Sequence, residues 1–123
     1  MKVLNLIIKQ VYFDQILTGE KKCEYREVKP TTVKKYIELD DEGFEKEDEY
    51  GNAIPVKYDA IRFFVGYNKD RDSALVEVKD VYTEMFVDDE GKLITYQFEG
   101  CDWIAEQVVY CLGNILEKNI HKR

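Results

Sequence analysis

Apolar residues follow two different periods along this 123-residue chain, and the change of period marks the predicted elements. Residues 2–9 are rich in aliphatic and β-branched side chains, which is typical of a buried strand. In residues 11–18 the apolar side chains recur at helical spacing, which predicts a short helix. Gly19 follows at the position where positive φ is favoured, so it is predicted to cap the helix C-terminus.

The rest of the chain is predicted to form strands joined by turns, with a second helix after Pro30. Residues 38–53 are acidic and interrupted by glycine, so we expect a mobile loop insertion there. Residues 100–104 are expected to be irregular or to form a short helical turn. Further strands are predicted at about residues 22–28, 60–67, 74–86, 92–98 and 108–116. The later connections are too short for the crossovers that parallel strands need, which argues against a parallel α/β sheet. We therefore expect one α+β domain over residues 1–123. Its predicted fold is a small mixed β-barrel of five to six strands with two short helices near the N-terminus.

Composition narrows the class of protein. The 45% hydrophobic content and two prolines exclude wholesale disorder, and no apolar run reaches the roughly 20 residues that span a membrane. The N-terminal segment is too quickly charged to be typical of a signal peptide. Three cysteines without a C-x-x-C pair favour reduced thiols in a cytoplasmic protein. With a single histidine, a metal site is not expected, and no cofactor is predicted.

The net charge of −7 is concentrated in one segment. Residues 38–50 contain eight of the 25 acidic residues and one of the 18 basic residues, which leaves 17 of each sign elsewhere. Residues 20–36 contain six basic and three acidic residues. The overall charge therefore does not exclude a nucleic-acid partner, because a basic flank is available for phosphates.

The segment from Gly19 to Arg26 carries the candidate chemistry. Side chains alternate along the strand after Gly19, so Glu24 and Arg26 are predicted to share a face, and Lys21 at the turn can bend toward them. These three groups either form a structural charge cluster or line a pocket. In a pocket, Lys21 is a candidate base or nucleophile with Glu24 as its proton partner. Alternatively, Lys21 and Arg26 bind a phosphate or carboxylate.

The segment Gly19-Glu20-Lys21-Lys22-Cys23-Glu24-Tyr25-Arg26 resembles the G-x-K-x-x-E-x-R signature of the ASCH domain family, in the PUA-like superfamily. The preceding strand and helix and the last predicted strand are similar too, so the resemblance covers essentially the whole chain. It implies a PUA-like β-barrel with a cleft lined by Gly19, Lys21, Glu24 and Arg26, and an RNA-related function. One small bacterial branch hydrolyses N4-acetylcytidine and related acylated nucleosides. That branch has Thr where this chain has Glu24. Its distant catalytic glutamate does not align with a residue of this chain, and Glu99 is suggested only by its place before the last predicted strand.

Aromatic residues outside the motif are further candidates for binding. Tyr67 and Asn68 end a predicted strand beside basic residues, where an aromatic ring can stack on a nucleobase. Trp103 is expected to pack in the core or at its rim and Tyr25 in the core, and Cys23 is expected to point away from the motif face. The sequence thus predicts a module that binds RNA or a modified nucleotide. The alternatives are an amidohydrolase or ribonuclease-type enzyme using Lys21 and Glu24, and an interaction domain whose acidic loop docks a basic protein.

Overall fold

The computed structural model of this protein describes residues 1–121 and shows an α+β fold dominated by strands. Neither helix in this part of the chain is long and apolar enough to cross a membrane. The elements are, in chain order, β1 (Val3–Ile8), α1 (Gln10–Thr18), β2 (Cys23–Val28), α2 (Val33–Tyr36), β3 (Ala60–Val65), β4 (Ser73–Met85), β5 (Thr95–Phe98), β6 (Cys101–Ile104) and β7 (Glu106–Asn119).

The strands form a five-stranded sheet of order β1-β3-β4-β7-β2 and a separate β5-β6 hairpin. β1 and β3 are parallel, with Val3 opposite Ala60 and Ile8 opposite Val65. β3 and β4 are antiparallel, with Ala60 opposite Glu77. A closed barrel is not found within residues 1–121, so the prediction is confirmed at the level of a strand-rich α+β fold with two short helices.

The chain divides into two compact units. Unit 1 comprises Met1–Glu24, Lys57–Asp80 and the described residues from Tyr110 onward. Unit 2 comprises Tyr25–Val56 and Val81–Val109.

The core of unit 1 is built around β1, β3 and α1. The helix α1 packs on β3 and buries Phe13 and Ile16, which lie one helical turn apart on the same face. Gly19 ends the helix with φ of 82°, and its N–H donates to the Ile16 carbonyl at 3.2 Å. The predicted glycine cap is therefore confirmed. It matters here because it fixes the direction in which the chain leaves the helix.

Unit 2 contains the acidic segment, which forms two tight hairpins where a mobile loop was expected. In the first hairpin, the Asp40 carboxylate accepts hydrogen bonds from the backbone N–H groups of Glu42 and Phe44 at 2.9 and 3.0 Å. Gly43 supplies the positive φ of 88° that the turn needs. The same Asp-x-x-Gly arrangement recurs at Asp48 and Asp88. Part of the acidity therefore serves turn formation.

The expectation for residues 100–104 is wrong, because Cys101–Ile104 form strand β6. β6 pairs with β5 through a two-residue turn in which Glu99 and Gly100 have φ values of 48° and 79°. Hairpin turns of this kind favour Asn or Asp before Gly, so Glu99 gave no turn signal. The catalytic candidate Glu99 is exposed at this hairpin tip.

Candidate functional site

The local backbone of unit 1 places Lys21 and Glu24 side by side. After the Gly19 cap, the Lys21 N–H donates to the Gln15 carbonyl at 3.0 Å, which folds the chain back against the end of α1. The Lys22 carbonyl then accepts a hydrogen bond from the Leu112 N–H at 2.9 Å, where β2 joins β7. The turn that carries Lys21 is thus held at both ends by backbone hydrogen bonds.

Lys21 and Glu24 form an ion pair, with Nζ to Oε1 at 3.2 Å. The two side chains are 18% and 7% exposed, so the pair is largely shielded from water while the ammonium keeps some access to the surface. Nζ also lies 5.7 Å from the centroid of the Tyr12 ring, within the range of a cation–π contact. Tyr12 itself is 46% exposed. The structure therefore brings together a cation, a carboxylate and an accessible aromatic ring.

The strand β2 shows the predicted alternation of side chains. Glu24 and Val28 are buried and Arg26 is half-buried, whereas Tyr25 and Glu27 are exposed. The expectation that Tyr25 packs in the core is therefore wrong. The chain passes from unit 1 to unit 2 after Glu24, so Lys21 and Glu24 belong to the first unit and Arg26 to the second.

Tyr67 and Asn68 lie in unit 1 and are exposed, Tyr67 to 84%. Both residues follow the C-terminal end of β3. The hydrogen bond between Lys22 and Leu112 lies near Glu77, and Glu77 pairs with Ala60, the first residue of β3. The length of β3, about 17 Å at the usual rise per strand residue, therefore separates Tyr67 and Asn68 from the Lys22–Leu112 hydrogen bond. The structure therefore does not bring Tyr67 and Asn68 to the Lys21–Glu24 pair.

The thiols of Cys23 and Cys111 contact each other in unit 1. Burial raises the pKa of the Cys111 thiol, and the neighbouring Cys23 adds to this effect. A raised thiol pKa lowers the thiolate fraction, which argues against Cys111 as a nucleophile. Within residues 1–121, no group of three or more His, Cys, Asp or Glu side chains is arranged to hold a metal ion.

Sequence reasoning missed a second group of residues, which lies in unit 2. Glu106 is only 6% exposed, and its carboxyl group hydrogen-bonds with Glu45 of the first acidic hairpin. A buried carboxyl group at the start of β7 had one available signal, since Glu106 precedes the apolar run Val108-Val109-Tyr110. Its partner could not be identified from sequence, because the two glutamates are far apart in the chain.

The two groups offer different chemistry. The Lys21–Glu24–Tyr12 group can bind an anion, exchange a proton or stack on a planar ring, whereas the Glu106 group presents carboxyl oxygens. No protein-family model, curated protein or solved structure matches this chain.

Proposed function

We propose that this protein binds RNA or a modified nucleotide through the surface of unit 1 that carries Tyr12, Lys21 and Glu24. The observation that supports this function is the shielded ion pair beside an exposed aromatic ring. A nucleobase can stack on Tyr12, as unpaired bases do on aromatic side chains. Lys21 then supplies a cation for a phosphate, and Glu24 is an acceptor for a base N–H group.

The resemblance to the ASCH family supports the same proposal. Gly19, Lys21, Glu24 and Arg26 all match its signature, and the first two of these occupy the turn that the structure holds in place. Arg26 enters the proposal through this motif alone. The proposal includes the PUA-like barrel that the family implies, as the finer description of the observed α+β fold.

The experiment that tests binding is a titration of labelled single-stranded RNA at low and at physiological salt. We expect affinity to fall with salt, because phosphate contacts release counterions. Lys21→Ala should lower the affinity and reduce the salt slope by about one unit. Lys92→Ala, at an exposed residue that pairs with Glu90, makes the same change of net charge and should alter neither quantity. Circular dichroism confirms that each variant is folded.

Two results would contradict this function. If the protein does not bind RNA at low salt, the proposed function is excluded. Equal losses for Lys21→Ala and Lys92→Ala would show that net charge, and not the Lys21 site, governs the interaction.

The enzyme alternative is supported by the 3.2 Å contact between Lys21 and Glu24, because proton transfer requires groups within hydrogen-bond reach. In this version, Lys21 acts on the amide of an acylated nucleoside or on a phosphodiester of RNA. Incubation with N4-acylated cytidines and with RNA, followed by chromatography, measures turnover. Product formation that persists in Lys21→Ala would exclude Lys21 from the reaction.

A further inference from the structure

Unit 2 contains a cavity of about 430 Å³ between its acidic hairpins, the end of β4 and β6. This volume falls within the range of roughly 300–1,000 Å³ that small-molecule sites occupy. Leu39, Phe44, Met85 and Trp103 supply apolar surface to its walls. Phe44 is 66% exposed, so the cavity opens at the protein surface. A ligand that fits here needs an apolar body.

The polar groups of the cavity are of one sign. Glu45, Glu47, Asp102 and Glu106 line it, and none of the lining residues is basic. Across residues 1–121, no lysine, arginine or histidine forms an ion pair with Glu45, Glu47 or Glu106. The cavity therefore holds several carboxyl groups without a protein cation to balance them.

Glu106 shows the consequence of this imbalance. Burial, the hydrogen bond that the protonated Glu106 carboxyl donates to Glu45, and the charges of Glu45 and Glu47 raise the pKa of Glu106 to about 8. At neutral pH a proton therefore supplies the positive charge that no side chain provides. A bound cation would supply it instead and release that proton.

The arrangement of the carboxyl groups and the walls of the cavity indicate what kind of cation fits. The carboxyl groups are not arranged to hold a metal ion, since residues 1–121 contain no such cluster. With apolar walls and no metal-holding cluster in the described part of the chain, the cavity suits an organic cation.

We propose that this cavity binds an organic ammonium ion: a positively charged nitrogen, attracted by the charges of Glu45, Glu47 and Glu106, on an apolar body that packs against Phe44 and Trp103. The cation–π attraction of an ammonium to Trp adds to the carboxylate contacts. This inference is independent of the proposed nucleotide site, because it concerns unit 2 alone.

The test uses three probes of similar shape, namely phenethylamine, the neutral phenethyl alcohol and the anionic phenylacetate. Trp103 is the only tryptophan of the chain, so intrinsic fluorescence reports directly on the cavity. We expect the amine to bind saturably, the alcohol at least tenfold more weakly and the anion not at all. Equal binding of amine and alcohol, or no saturable binding of the amine, would overturn the inference.

Variants locate the bound nitrogen. Glu106→Gln preserves side-chain size and should weaken amine binding about tenfold, and Glu47→Gln provides a second, exposed position that does not put folding at risk. Glu90→Gln, on an exposed hairpin, is the matched control for loss of one negative charge and should leave affinity unchanged. If Glu90→Gln weakens binding as much as the cavity variants do, the attraction is only the net charge of the protein and the site is disproved.

The pH dependence provides a third readout. The titratable groups around Glu106 are Glu45 and Glu47 from the hairpins, Asp102 from β6 and Tyr96 from β5, and the charge of Glu27 from β2 also acts on Tyr96. With phenethyltrimethylammonium, whose charge is permanent, affinity should rise between pH 7 and pH 9 as Glu106 loses its proton. Calorimetry in buffers of different ionisation enthalpy should show proton release at pH 7 and none in Glu106→Gln. A pH-independent affinity would contradict the role of Glu106.

A free amine and a lysine side chain of a protein present the same ammonium group. A short lysine-containing peptide and its side-chain-acetylated form distinguish these two sources. Tighter binding of the unmodified peptide than of phenethylamine would identify a protein ligand, and binding of the free amine alone would identify a small molecule. Equal binding of the two peptides, without amine binding, would overturn the inference.

Discussion

Unit 1 and unit 2 each bury a glutamate, and they treat its charge in opposite ways. In unit 1, Glu24 lies 3.2 Å from the Lys21 ammonium, so its negative charge has a partner. In unit 2, Glu106 is surrounded by other carboxyl groups, and its pKa rises to about 8. The comparison shows that burial alone does not decide the state of a carboxyl group. The sign of its neighbours decides whether the group stays ionised or takes up a proton.

The largest effect is expected from Glu24→Gln. The substitution keeps the shape of the side chain but leaves the shielded Lys21 ammonium without its carboxylate, which should lower the free energy of unfolding by roughly 2–3 kcal/mol. Urea unfolding at pH 7 measures this loss. Glu27→Gln is the matched control on the same strand, since Glu27 is exposed and 3.8 Å from an exposed Lys29. A loss no greater than that of the control would remove the distinction between the two units.

Removing the charge of Glu106 should have the opposite effect on stability, raising it at high pH. Its folded pKa of about 8 lies above the ordinary carboxyl value of 4.5, so the folded state binds the extra proton between these values. This contribution to stability is complete below pH 4.5 and is lost as pH rises through 8. Glu106→Gln should therefore stabilise the protein at pH 9 by on the order of 1–2 kcal/mol, a discounted figure because the cavity opens to water.

Urea unfolding of Glu106→Gln and the wild type at pH 6 and pH 9 tests this sign. The increase in the free energy of unfolding of Glu106→Gln over the wild type should be present at pH 9 and small at pH 6. Destabilisation by Glu106→Gln at pH 9 would show that the folded protein stabilises Glu106 as a carboxylate.

The turn that builds the unit 1 site depends on Gly19. A Cβ at this position meets no atom within 4 Å, but the φ of 82° is strained for any L side chain. Gly19→Ala should therefore cost about 1–2 kcal/mol through the backbone alone. Thermal unfolding measures the loss, and the variant should also weaken RNA binding if the turn positions Lys21. An unchanged melting temperature would show that the chain leaves α1 in another conformation.

The smallest effect is expected in the acidic hairpins. Asp40→Ala removes two hydrogen bonds to backbone N–H groups and should cost about 1 kcal/mol. Asp41→Ala is the adjacent control, because the Asp41 carboxylate accepts neither bond. Hydrogen exchange at the Glu42 and Phe44 amides follows the turn directly. Equal exchange in both variants would mean that the carboxylate does not order the hairpin.

Sequence reasoning worked best where structure is local. The helix α1, its glycine cap and the Lys21–Glu24 pair depend on residues within a few positions of one another, so spacing predicts them. It failed at β6, because Glu99 adopts a positive φ that its residue type does not signal. Glycine and acidic residues at positions 38–53 also predicted a mobile loop, whereas the carboxylates of Asp40 and Asp48 order two hairpins there.

By itself, the sequence determined the order of most elements and the local Gly19–Glu24 motif, because periodicity and capping act over one or two turns of chain. Only the tertiary structure decided that Tyr67 lies away from the motif and that Glu106 meets Glu45 beside a cavity. The physical reason is that strand register and sheet pairing bring together side chains from distant segments. Composition counts such carboxyl groups but cannot tell which of them share a buried space.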